Sequence, residues 1–208
     1  MRGIYSSQRG LANVAHNVDN TNTPGYSRQV INQSAARPLL VTGGAGMLGM
    51  GSDVNSVDRV RDQYLDEKYW SEAKYLGEWN VKSSVIDELQ AVYNEPSENG
   101  YTKIISDFYS ALQTLSTDPA SEATRAMVKE KGVAVAKYFN SVAKHFDKLQ
   151  EDLNNMVSSK VAEVNSLADQ IRDLNLQIYN FEVVGNKAND LRDRRGYLVD
   201  QLSEIVNW

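Results

Sequence analysis

The chain has 208 residues, 41% of them hydrophobic, no cysteine, four prolines and a formal charge of −5. That length allows one domain of some size, or one core with an appendage. The absence of cysteine excludes thiol catalysis, disulfides and thiolate metal sites, and an acidic balance with no cluster of Lys and Arg argues against nucleic acid as a partner.

In chain order, Ile4, Leu11, Val14 and Ala15 fall at helical spacing, so residues 3–17 are predicted to form a short amphipathic helix, too short to be stable alone. It should stop near Val18. Asn and Asp side chains bond to nearby backbone in competition with helical hydrogen bonds, and four of them lie between Asn17 and Asn22. Pro24 then presets φ and Gly25 supplies the positive φ that a type II turn needs at its third position, so Thr23 to Tyr26 is a turn into extended chain. Local chemistry alone therefore gives a helix, a sharp corner and a strand-like exit.

Residues 26–56 contain Gln29-Val30-Ile31, Leu39-Leu40-Val41 and the glycine group Gly43 to Gly51, which read as extended segments and loops with little core of their own. Within them Gly44-Ala45-Gly46-Met47-Leu48-Gly49 matches G-x-G-x-x-G. A dinucleotide site needs a helix to start inside that loop, whereas Gly51, Ser52 and Val54 continue extended or looped chain, so the stretch reads as a connector.

The remainder is helical, the change coming near Val57. From Asp58 to Tyr93, Leu65, Tyr69, Leu76, Trp79, Ile86, Leu89 and Tyr93 mark a helix with a coiled-coil-like seam. The segment Asn94 to Gly100, with Pro96 and Asn99-Gly100, ends it. Tyr101, Ile104, Ile105, Phe108, Leu112 and Leu115 mark a shorter helix closing before Asp118, which is read as the N-cap of the next, with Pro119 at its first position.

That next helix is predicted from about Pro119 to Val184, on the order of 95 Å at ~1.5 Å per residue, with Gly185 as its stop and Gly132 as its weakest point. Phe139, Phe146 and Leu153 repeat beside Val142, Leu149 and Met156; Val164, Ile171 and Ile178 repeat beside Leu167, Leu174 and Phe181. The two registers are joined by one four-residue stutter. A last helix, Asp190 to Val206, turns Leu191, Leu198, Leu202 and Ile205 inward and folds back through Gly185-Asn186. The fold class is thus mainly α, an elongated antiparallel bundle of long, coiled-coil-like helices with an irregular, extended N-terminal segment: residues 1–56 as one part, 57–208 as the bundle.

Candidate chemistry is sparse. His16 and His145 are too few for a metal site. Glu151 and Asp152 lie among lysines, and Asp190 and Asp193 alternate with Arg192, Arg194 and Arg195, so both groups read as solvated helix charge and not as paired catalytic carboxylates. No continuous apolar core of a secretory signal lies in residues 1–18, and no later stretch approaches a membrane span. No catalytic residue, cofactor or metal is expected.

A helix followed by Asn17-Val18-Asp19-Asn20-Thr21-Asn22-Thr23-Pro24-Gly25-Tyr26 resembles the N-terminal signature of bacterial flagellar rod, hook and hook-associated proteins, and Ser27-Arg28-Gln29 is similar to the hook-associated protein 1 branch. Gly49-Met50-Gly51-Ser52-Asp53-Val54 with Val57, Arg59, Tyr64 and Leu65, then Leu112-Gln113 and Leu115 before Asp118-Pro119, and Asn189-Asp190-Leu191-Arg192-Asp193 with Arg195, resemble further segments of that branch. Val18 and Asp19 depart from it, since the family more often has Ile and Ala there.

The resemblance implies a structural subunit of the bacterial flagellum that joins hook to filament, with no enzymatic activity. Its implied partners are copies of itself in a ring, hook protein, a filament-side junction protein and an export chaperone, with neither nucleic acid nor membrane among them. The implied location is extracellular, at the hook–filament junction, after export through the flagellar type III apparatus. Asn17, Asn20, Thr23, Pro24, Gly25, Tyr26 and Arg28 are the expected assembly residues. Trp208 falls about where the family's fold leaves for its middle region, so a fragment is expected, with residues 1–56 poorly ordered or captured by a neighbour. The alternatives are a hook or distal rod sibling, a stand-alone helical coiled-coil adaptor, or a nucleotide-dependent enzyme using the glycine group.

Overall fold

The computed structural model describes residues 2–40, 43, 46–93 and 100–206, so Gly44 and Ala45 of the glycine motif and the Asn94 to Asn99 connection lie outside the described residues. The elements run α1 Arg2–Asp19, β1 Gln29–Ala35, β2 Leu39–Leu40, β3 Met47–Leu48, β4 Ser52–Arg59, α2 Gln63–Tyr93, α3 Tyr101–Thr117, α4 Glu122–Glu182 and α5 Asn189–Ser203. The fold is mainly α, as the periodicities imply, with α4 an unbroken helix of 61 residues passing through Gly132. Two compact units are formed, Met1–Leu76 with Glu163–Trp208, and Gly77–Ala162.

In the first unit, β1 and β4 pair antiparallel from Gln29↔Arg59 to Ala35↔Ser52, with a bulge at Asn32/Gln33. Among the described residues, β2 and β3 pair only with each other. The described residues of the N-terminal quarter thus form a helix and a paired ribbon. After Gly49 the chain runs into β4 and no helix begins before Gln63, which places a strand where a dinucleotide fold needs a helix start.

The apolar core of this unit is Leu167, Leu174 and Leu198, with Ile171, Leu191, Leu202 and Ile205 packed on it. Ile178 of α4 is buried as well. The hairpin of α4 and α5 thus closes as the stripe on each helix requires. Gly185, at φ +86°, ends the long helix in the left-handed region. Glu182 secures the turn: its carboxylate accepts Arg192 Nε at 2.7 Å, Arg192 Nη2 at 2.6 Å and the Ala188 N–H at 3.2 Å. These bonds, with Arg192 foremost, lower its pKa to about 2.

In the second unit, α3 packs on α4 through Lys131 and Asp107, and through Phe108 beside Gly132, where an added Cβ would meet the Phe108 ring at 3.5 Å. The Tyr101 ring meets Tyr138 at a tilt and Phe139 edge-on, and Tyr93 meets Phe146 edge-on.

Four expectations are corrected. The helix α2 starts at Gln63 and not at Asp58, because residues up to Arg59 are held in β4. Of its expected seam Leu89 alone is partly buried: Leu65, Tyr69, Leu76, Trp79, Ile86 and Tyr93 are exposed, while Trp70, Ala73, Gly77, Val85 and Val92 lie on the less exposed side. Apolar residues line both faces of α2, so periodicity could not choose the face. On α4 the seam holds from Val142 to Ile178, but Phe139, Met156 and Phe181 are exposed. Finally, α4 is capped by Ser121, whose Oγ accepts the Thr124 N–H at 3.4 Å, while Asp118 and Pro119 lie in the preceding turn with their carbonyls held by Thr124 and Arg125.

Candidate functional site: the corner between α1 and β1

The helix α1 is amphipathic, but its polar side is the docked one. Ile4, Leu11, Val14 and Val18 form a stripe 58–71% exposed, with no charged residue in it. The opposite face carries Ser6, Asn13, His16, Asn17 and Asn20, which meet β1 and α5 or cap the helix. Ser6 is the buried residue of α1.

The corner closes the helix with its own donors. The Asn20 amide and backbone N–H both donate to the His16 carbonyl, at 3.0 and 3.1 Å. Thr21 Oγ1 donates to the Asn17 carbonyl at 2.9 Å, and the Thr21 N–H to the Val18 carbonyl at 3.2 Å. These carbonyls have no partner within the helix, so the Asn-rich run is a C-terminal cap. Thr23 Oγ1 then donates to Asn20 Oδ1 at 3.1 Å, and the Tyr26 N–H closes a turn on the Thr23 carbonyl at 3.2 Å with Gly25 at φ +76°.

Asn17 bridges helix and strand. Its Oδ1 accepts the Tyr26 hydroxyl at 2.7 Å and the Gln29 N–H at 2.8 Å, and its Nδ2 donates to the Gln29 carbonyl at 2.9 Å, imitating a strand partner. Asn13, one turn earlier, donates to the same carbonyl at 2.8 Å. Gln29 is thereby the hub, since its buried side chain reaches α5: Nε2 donates to Asp190 Oδ1 at 2.6 Å, and Oε1 accepts from Asn189 at 3.3 Å. His16 Nε2 lies 3.2 Å from the same Asp190 oxygen, with its ring edge-on to Tyr26.

The alternating charges at the start of α5 are not all solvated, which corrects the reading of Asp193. It is 4% exposed. Its Oδ2 accepts the Ser27 N–H at 3.0 Å, and its Oδ1 accepts Arg59 Nη1 at 2.7 Å. A buried carboxylate is retained only with such partners. Asp190 is exposed yet engaged by Gln29. Burial, then the negative Asp190 and Asp193, raise the Tyr26 phenol above its usual range.

Of the seven expected residues, Asn17, Asn20, Thr23, Gly25 and Tyr26 converge in this network, and Pro24 lines a cleft of about 260 Å³ between the turn and α5. Arg28 does not join it. Its side chain is exposed and only its carbonyl is engaged, by the Val60 N–H at 2.8 Å. Asn13, His16, Gln29, Asn189, Asp190, Asp193 and Tyr197 were missed. The amides at 13, 17 and 20 do fall on one helical face in the sequence, but the α5 residues, more than 150 positions away, carry no local signal. Among the described residues no cluster of three metal-ligating side chains occurs. The site is a joint made of hydrogen bonds, and it presents an apolar helix face outward.

Residues 86–208 match the family described as "Flagellar hook-associated protein FlgK helical domain". Over 99% of its length the chain is similar to Flagellar hook-associated protein 1 of Bacillus subtilis (strain 168), at 34% identity and covering 42% of that relative. The protein of the same name from Salmonella typhimurium is 29% identical and 37% covered. That from Escherichia coli (strain K12) is 26% identical and 38% covered. The chain thus spans about two fifths of the length of the curated relatives it matches.

Proposed function

The chain belongs to the flagellar hook-associated protein family, and from that premise we propose that it forms part of a structural subunit that joins the flagellar hook to the filament. The observation that carries the reading is α1, fixed by its polar face while Ile4, Leu11, Val14 and Val18 stand clear of the chain's own core. An uncharged helical stripe of this kind suits packing against another helix, at roughly 25 cal/mol per Å² of apolar surface removed from water.

In this reading the corner Asn17 to Arg28 sets the direction in which the stripe is presented. Copies of the subunit then interlock by heterologous contacts into a ring or tube, with hook protein on one side and a filament-side junction protein on the other. The work is mechanical and involves no bond-making. The subunit reaches the outside of the cell through the flagellar type III apparatus, held beforehand by an export chaperone.

The experiment is the morphology of cells lacking the gene. Complete hooks without filaments, with filament protein shed into the medium, support the junction role. Normal filaments reject it.

A further inference from the structure

Resting on the reading of residues 2–29 as the assembly lead, we propose that Asp193 is the positioning residue that sets this lead, and that the lead is set only when α5 docks. Hydrophobic adhesion does not hold α1 to its own chain, because its large apolar residues point outward and its one buried side chain is Ser6. The bonds inside the corner, Asn17 to Gln29 and Asn20 to Thr23, define a turn. The helix α1 is tied to the ribbon by Asn13 and Asn17 on the Gln29 carbonyl and by Arg2 on Asp53 at 3.0 Å; what ties the turn and ribbon to the helical hairpin comes from α5. One buried carboxylate ties the Ser27 N–H, just past the turn, to Arg59 at the end of β4. Beside it Gly25 lies so close to Tyr197 that a Cβ built on it would be 2.5 Å from Tyr197 Cβ.

These partners are separated by 134 to 166 positions in the chain. A chain that emerges amino end first presents the α1 stripe well before Asp193 and Tyr197 exist in folded form. Until they arrive, the Ser27 amide lacks its acceptor and Arg59 lacks its counter-charge. The helix and its ribbon are then not fixed to the hairpin, and the stripe is left without a set direction. Docking of α5 on α4, driven by Leu167, Leu174 and Leu198, completes the joint. Presentation of the assembly face is thereby made to follow folding of the helical hairpin, which delays self-association until that hairpin is complete.

Amide hydrogen exchange on the whole chain tests this. In Asp193→Asn, which keeps the side-chain size and removes the charge, exchange across residues 20–29 should rise at least tenfold while residues 101–117 and 122–162 are unchanged; unchanged exchange at 20–29 overturns the proposal. An equal rise at 20–29 from Asp200→Asn also overturns it, since the corner would then report only general loosening of α5. Pulse-labelled refolding of the unaltered chain covers the case in which Asp193→Asn does not fold. The Ser27 amide should gain protection together with α5, and protection ahead of α5 refutes the order. None of these readouts depends on flagella, so a confirmed joint in a chain whose loss leaves filaments normal would sink the functional reading alone.

Discussion

Gly25→Ala is the sharpest single test of the corner, because two separable costs meet there. Its φ of +76° costs a side-chain-bearing residue about 1–2 kcal/mol. The new Cβ would also lie 2.5 Å from Tyr197 Cβ and 3.1 Å from Cγ, against about 3.5–4.0 Å for relaxed carbon contacts. The atom it meets is fixed to the α5 backbone and cannot swing aside, so the turn or α5 must move, at about 1–3 kcal/mol for an overpacked site. Gly185→Ala is the control, since φ is +86° and nothing lies within 4 Å of a built Cβ. Urea unfolding followed by the fluorescence of Trp70 reports the relevant unit, because its indole N–H is held by Asp200 of α5 at 2.6 Å. Trp79 and Trp208 are replaced by Phe in both proteins for this purpose. The expected loss is about 2–5 kcal/mol for Gly25→Ala, at least about 1 kcal/mol beyond Gly185→Ala. Equal losses would refute the close docking of the turn on α5.

Glu182 has a folded pKa of about 2 against an ordinary 4.5, so its stabilisation is fully present above about pH 4.5 and is lost as pH falls toward 2. The melting temperature of Glu182→Gln should accordingly lie below that of the parent at pH 7 and converge with it near pH 2; a constant gap contradicts the clamp on Arg192. Leu174→Ala removes a buried side chain facing Leu167 and Leu198, and the same Trp70 assay should register a loss of about 2–4 kcal/mol. Leu176→Ala, on the exposed side of the same helix, should change stability by less than about 0.5 kcal/mol.

How much of this was legible depended on the range of the interactions. Val164 through Ile178 could be read from spacing alone, because a helix stripe and its burial share one period. The turn at Thr23–Tyr26 was legible for a different reason, since Pro24 and Gly25 each restrict one dihedral. On α2 the spacing misled, as Leu65, Tyr69, Leu76 and Trp79 make a regular stripe that faces solvent while Ala73 and Gly77 lie on the less exposed side. Small residues weigh little in a hydrophobic pattern, so a face that carries them reads as weak. Asp193 was illegible for a further reason. Amid arginines it has the composition of a solvated helix face, and only the arrival of Ser27 and Arg59 from the other end of the chain buries it.

The most direct measurement replaces Asn17 by Ala in the full-length protein and counts filaments on cells that carry no other copy of the gene. Asn17 makes three of the bonds that join α1 to its exit, while residues 77–162 form a compact unit that does not contain it. Exported protein with hooks that bear few or no filaments is the result the account predicts. Filaments in wild-type number, on protein shown by hydrogen exchange to have lost the corner, would contradict it.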